Sequence, residues 1–153
     1  MTFFLALLFC QQIPTGSKDP VPGEILVATG KSHDPDLARS VIVLVDCDRD
    51  GVIGLMVNHP NGKAFDGGPV TLGVRTLVRA RSKPQNAQRV AGDLYLFQGL
   101  VERAGARVYG GYTGWSIAQL KDEISGGFWK ILPADSAIVF DPSPATLWKR
   151  LSR

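Results

Sequence analysis

Cysteine and histidine are both scarce in this chain: Cys10, Cys47, His33 and His59 are the only ones among its 153 residues. Two cysteines cannot build a disulfide framework, and a cysteine-based zinc site would need several histidines at ligand spacing. The unbroken apolar run at residues 3–9 (FFLALLF) is far short of the roughly 20 residues of a bilayer span, so no transmembrane span is expected. Neither sign of charge dominates. Lys and Arg number 17 against 14 Asp and Glu, and the resulting +3 is spread along the chain rather than gathered in a basic tail. That balance does not by itself point to nucleic acid. Apolar residues at 44% and charged residues at 20% exclude disordered and collagen-like chains, and the length fits one domain. A Gly-x-Ser-x-Gly nucleophile elbow is missing, as are the dinucleotide and Walker glycine spacings. The spacings call for no metal and no cofactor.

Charge is also missing locally. Residues 1–17 contain no Lys, Arg, Asp or Glu. Two readings stay open: an export leader, for which the apolar run has a suitable length, or an N-terminal extension. Residues 18–22 read as a linker and residues 23–153 as the domain. Within it, apolar runs at residues 25–29, 41–45, 52–57, 94–97, 107–109, 128–132 and 137–140 read as strands. Asp46-Cys47-Asp48-Arg49-Asp50-Gly51 joins two of them as a hairpin; it matches the opening of a calcium loop, but Val57 stands where that loop needs a bidentate Glu. Ser116 and Gln119 form a capping box that opens a helix, with Trp115 and Leu120 at the staple positions and Gly126-Gly127 at its end. Ser143-Pro144 opens a C-terminal helix, and Asp34-Pro35 a short helical turn. Strands interrupted by short helices without regular alternation predict an α+β fold: a single compact domain with a mixed, largely antiparallel sheet.

Two glycine-rich segments are the candidate sites. Residues 110–115 (GGYTGW) lie between a strand and the capped helix, where backbone N–H groups can meet an anion. Residues 65–70 (FDGGPV) form a second such turn. Asn58 and His59 close a strand, a place where polar side chains can face a cleft. The binding candidates are therefore Asn58, His59, Gly67, Gly68, Tyr112, Gly114 and Trp115; a tight turn serving the fold is the competing reading of each glycine segment. Arg75, Arg79, Arg81 and Lys83 alternate, so an extended stretch at residues 74–83 would present them on one face as possible phosphate contacts, or simply as a solvated face. Cys47 lies between two aspartates, which disfavours a reactive thiolate.

The ordered set Gly23 to Ala28, Asp34-Pro35, Ala38 to Val41, Gly51 to Leu55, Asn58 with Pro60, Gly67 to Val70, Gly111-Tyr112, Gly114-Trp115, Gln119-Leu120, Trp129, Pro133 to Asp135, Phe140-Asp141 and Leu147-Trp148 resembles the AlgH/YqgE family of bacterial proteins. The resemblance spans residues 23–151. It implies a compact α+β fold and a non-enzymatic regulatory or interaction protein with an unknown protein partner, since one member lent the family its label as a proposed transcriptional regulator. It supplies no catalytic set and implies a cytoplasmic location, whereas a cleaved leader would imply export. Against the family pattern, the chain is shortened between Asn58 and Gly67 and again between Gln98 and Arg107, and His59 stands where arginine is usual. Two alternatives remain: a small enzyme with a polar cleft at the glycine turns, and a weak nucleic-acid binder.

Overall fold

A strand that is apolar at every position has no face to give to water, so it must lie inside a sheet covered on both sides. The run Val41-Ile42-Val43-Leu44-Val45 does so, each residue being buried. It opens β2 (Val41–Asp48), which pairs antiparallel with β1 (Ile25–Ala28) on one edge and with β3 (Gly51–Met56) on the other. The Asp46–Gly51 segment is the expected hairpin: Asp48 Oδ1 accepts from the amides of Asp50 and Gly51 at 2.8 and 3.2 Å, which fixes the turn.

The computed structural model describes residues 18–153; the leader or extension at residues 1–17, with Cys10, lies outside them. The remaining strands are β4 (Pro60–Asn61), β5 (Ala64–Asp66), β6 (Val70–Arg79), β7 (Gln88–Ala91), β8 (Leu94–Gln98), β9 (Arg107–Trp115) and β10 (Trp129–Leu132). Their order is β10-β1-β2-β3-β9-β6-β8-β7, with β4 and β5 off this path. The pairings are antiparallel except that of β5 with β9, so the fold is α+β, sheet-dominated, with short helices.

One face of this sheet carries the main core, to which Ile25, Val43, Leu55, Leu77, Leu96 and Tyr109 contribute from six different strands. The sheet curls around it. A Cβ on Gly23, just before β1, would touch Ala91 of β7 at 2.5 Å and Ala134 beyond β10 at 2.9 Å, so the two ends of the sheet come together there. The opposite face of β1, β2 and β3 is covered by α1 (Ile117–Ser125), which lowers Leu120 onto Leu26, Ile42, Leu44 and Trp115. Ser116 Oγ accepts from the Gln119 amide at 3.0 Å, the expected N-cap.

Several expectations need correction. Residues 137–140 are not a strand: α2 (Ser136–Val139) stands there, because the Asp135 carboxylate caps the Ala137 amide at 2.9 Å. The C-terminal element begins as a 3-10 turn at Pro144–Thr146 and continues as α3 (Leu147–Leu151), and Ser143 makes no side-chain cap bond. Asp34-Pro35 forms a turn without helix, closed by bonds from Leu37 and Ala38 to the Asp34 carbonyl. Residues 110–115 are no turn either; they extend β9 through to Trp115. Among the described residues, no helix is long and apolar enough to cross a membrane.

Candidate functional site

The two glycine segments meet, and they meet each other. Tyr109 pairs with Phe65 of β5 on one edge and with Arg75 of β6 on the other, so the link at residues 67–69 must cross over β9 to get from one strand to the next. Crossing strands can approach to backbone contact only where side chains are missing. Gly67 donates to the Gly110 carbonyl at 2.8 Å and accepts from the Met56 amide at 2.8 Å. A Cβ on Gly67 would run into the Gly111 carbonyl oxygen, and one on Gly68 into the Tyr112 carbonyl carbon and oxygen. A Cβ on Gly111 would stand 2.6 Å from the Val70 carbonyl oxygen and 3.2 Å from that of Gly68. Gly111 also has φ +74, at the point where the pairing of β6 with β9 shifts register. The glycines therefore let the chain pack against itself, and the anion-binding reading of residues 110–115 fails because strand pairing engages this backbone.

Asn58 is held in the same structural way. Its Nδ2 donates to the Arg39 carbonyl at 2.9 Å and its Oδ1 accepts from the Val41 amide at 3.0 Å, so both ends of the amide pin the entry to β2. His59 lies beside the crossing, sharing a cavity of about 170 Å³ with Asp36, Met56, Asp66, Gly68 and Pro69. Its Nε2 is enclosed without a hydrogen-bond partner, and burial lowers its pKa, with Asp66 opposing that shift.

Tyr112, Gly114 and Trp115 lie close together at the end of β9. They line a cleft of about 280 Å³ with Asp46, Asp48, Asp50, Gly51, Val52 and Ile53 of the hairpin. The Tyr112 ring lies over Gly114, its Cε2 being 3.3 Å from where a Cβ would stand. Trp115 itself is buried at 5% exposure and packs edge-on against Trp129 with ring centroids 6.1 Å apart. Glu123 Oε1 accepts from both indoles, at 3.4 and 3.2 Å. Sequence reading missed Glu123; its place on the helix opened by Ser116, among tryptophans, was the available signal.

The four cations do not share a strand face. β6 ends at Arg79, so Arg81 and Lys83 lie beyond it in the following loop. Arg75 stacks on the Tyr112 ring at 4.8 Å, and Arg79 pairs with Asp93 at 3.5 Å. Cys47 has its pKa raised to about 11, first by burial and then by Asp46, Glu24 and Asp48, which makes the thiolate rare at neutral pH.

The family model described as AlgH-like matches residues 25–153. A UPF0301 protein of Streptomyces avermitilis is 32% identical over 163 aligned positions, covering 86% of this chain and 84% of its own length. Another, from Methylococcus capsulatus, is 32% identical over 169 positions, with coverage of 90% and 92%. Both alignments are longer than the chain, so these relatives contain residues that have no counterpart here. The solution structure of AlgH from Pseudomonas aeruginosa superposes with a TM-score of 0.68 at 26% identity, covering 89% of this chain and 88% of that one. A crystal structure of a Corynebacterium diphtheriae protein shares the fold with a TM-score of 0.73 at 24% identity, covering 88% and 86%.

Proposed function

The chain belongs to the AlgH-like family, and from that premise we propose that it acts as a non-enzymatic interaction protein whose partner is another protein, engaged at the cleft of Tyr112, Gly114 and Trp115. One observation carries this reading. The candidate residues that do converge line a cleft with an aromatic wall and an acidic rim, whereas Asn58, Gly67 and Gly68 are engaged in holding the backbone. The enzyme alternative has His59 beside Gly68 in its favour, but the cysteine among the described residues is a poor nucleophile, since burial and neighbouring carboxylates push the Cys47 thiol up to about 11. Regulation of transcription, if the chain takes part in it, would then work through a protein partner rather than through direct contact with DNA.

The test is affinity capture with the immobilised full chain, comparing the wild type with Tyr112→Ala. Tyr112 is half-buried and can be truncated with less damage than Trp115. A specific partner retained by the wild type and lost by the variant supports the reading. A partner held equally by both moves the interface elsewhere, and no specific partner at all counts against an interaction role.

A further inference from the structure

We infer that Asn61 is a site of spontaneous covalent modification, where the backbone nitrogen of Gly62 attacks the Asn61 carboxamide in an exposed hairpin loop and leaves a carboxylate beside Asp66. The loop is Gly62-Lys63, held between β4 and β5 by the pairing of Asn61 with Ala64. In the reaction a bond forms between Gly62 N and Asn61 Cγ, and the Gly62 amide proton passes to solvent base. The bond from Cγ to Nδ2 breaks, and the nitrogen leaves as ammonia with a proton taken from water. Water then opens the resulting cyclic imide at either carbonyl, giving aspartate or isoaspartate at position 61.

The attack needs an unhindered residue after the asparagine, a free backbone N–H and a carboxamide that can turn. Gly62 is exposed, a Cβ there would meet nothing within 4 Å, and its N–H makes no hydrogen bond to a described residue. The Asn61 carboxamide is tied only to Asp66, by contacts of 3.2 and 3.4 Å at the long end of the hydrogen-bond range. The chain's other two asparagines fail on these terms. Asn58 is gripped by backbone at both ends of its amide, at 2.9 and 3.0 Å, and His59 follows it. Asn86 precedes Ala87, which is buried and donates its amide to the Pro84 carbonyl. The two aspartyl-glycine steps could form the same imide, but their nitrogens are engaged: Gly51 donates to Asp48 at 3.2 Å and Gly67 to the Gly110 carbonyl at 2.8 Å.

The product alters the hairpin. Asn61 Nδ2 donates to both oxygens of Asp66, so exchanging the amide for a carboxylate turns attraction into repulsion between like charges. Isoaspartate also puts an extra carbon into the main chain, which breaks the pairing of β4, a strand of two residues, with β5. β5 carries Phe65 onto Tyr109 and leads into the glycine crossing, while Asp66 lines the His59 cavity. The modification therefore loosens the hairpin and adds negative charge beside His59.

The experiment is prolonged incubation of the full chain at mildly alkaline pH, followed by residue-resolved mass spectrometry that separates aspartate from isoaspartate, with the chain unfolded in urea as the reference. In the folded chain the change from amide to acid should accumulate on Asn61 roughly tenfold faster than on Asn58 or Asn86, with isoaspartate as a product. The amide NMR signals of Ala64, Phe65 and Asp66 should move with the same time course. Asn61→Gln, whose longer side chain would have to close a larger ring, should lose both changes. Gly62→Ala, whose methyl crowds the attacking nitrogen, should slow the modification severalfold. Equal conversion of all three asparagines, or an Asn61 that stays intact in the folded chain while it converts in urea, would overturn the inference. Conversion that leaves the Phe65 and Asp66 signals in place would overturn the loosening of the hairpin.

Discussion

Gly68 lies directly against the backbone of Tyr112, so closely that a methyl group on Gly68 would run into the Tyr112 carbonyl. This contact joins the two glycine segments that the sequence offers as ligand turns, and it explains both by one need: the chain must cross β9 between β5 and β6. Beside the crossing, Tyr112 and Gly114 share a cleft with the acidic hairpin.

Tyr109 is fully buried in the main core, and its hydroxyl has no hydrogen-bond partner. An unsatisfied buried hydroxyl costs about 1–3 kcal/mol, whereas Phe would keep the ring and its contact with Phe65 at 5.3 Å. Tyr109→Phe should therefore raise the unfolding free energy by about 1 kcal/mol in urea denaturation. A loss of stability would mean that the hydroxyl is satisfied, for instance by a bound water.

His59 gives stability a pH dependence of known sign. Its folded pKa is lowered below 6.5, chiefly by burial. The folded state therefore binds this proton less readily than the unfolded chain does. Its contribution is complete above the unfolded pKa and is lost as the pH falls from about 6.5 towards the folded value. Denaturation midpoints between pH 7.5 and pH 5 should decline in the wild type and decline less in His59→Gln. Equal slopes in the two proteins would assign the decline to other groups.

Cys47, with its thiol raised to about 11, should alkylate slowly. The shift from 9.0 reduces the thiolate at pH 8 by roughly a hundredfold relative to an ordinary cysteine. Peptide-resolved mass spectrometry after iodoacetamide treatment should show Cys47 modified far more slowly in the native chain than in urea. Comparable rates would contradict a buried, charge-disfavoured thiolate.

Legibility in the sequence followed the physical source of each element. Dense apolar runs such as residues 41–45 announce a central strand, and the Ser116 cap and the Asp46–Gly51 hairpin are local chemistry that a short window contains. β9 was harder to read because Gly110, Gly111 and Gly114 remove the apolar alternation a strand would show, although pairing on both edges makes it central. Residues 137–140 look like a strand by composition, and one carboxylate, that of Asp135, turns them into helix. At the candidate site, grouping Tyr112, Gly114 and Trp115 needed only their closeness in the chain. That Asn58 pins backbone, that Arg81 and Lys83 leave the strand, and that Asp34 and Glu123 share a cavity with Trp115 are consequences of long-range packing, which no local pattern encodes.

The central claim, that these glycines let the chain cross itself, is tested most directly by the stability of two neighbouring Ala variants. A Cβ on Gly110 meets nothing within 4 Å, while one on Gly68 meets backbone. Urea denaturation should find Gly110→Ala within about 0.5 kcal/mol of the wild type and Gly68→Ala destabilised by at least about 2 kcal/mol. Equal tolerance of both substitutions, with a loss of partner binding instead, would contradict the account and return the glycines to the role of a ligand turn.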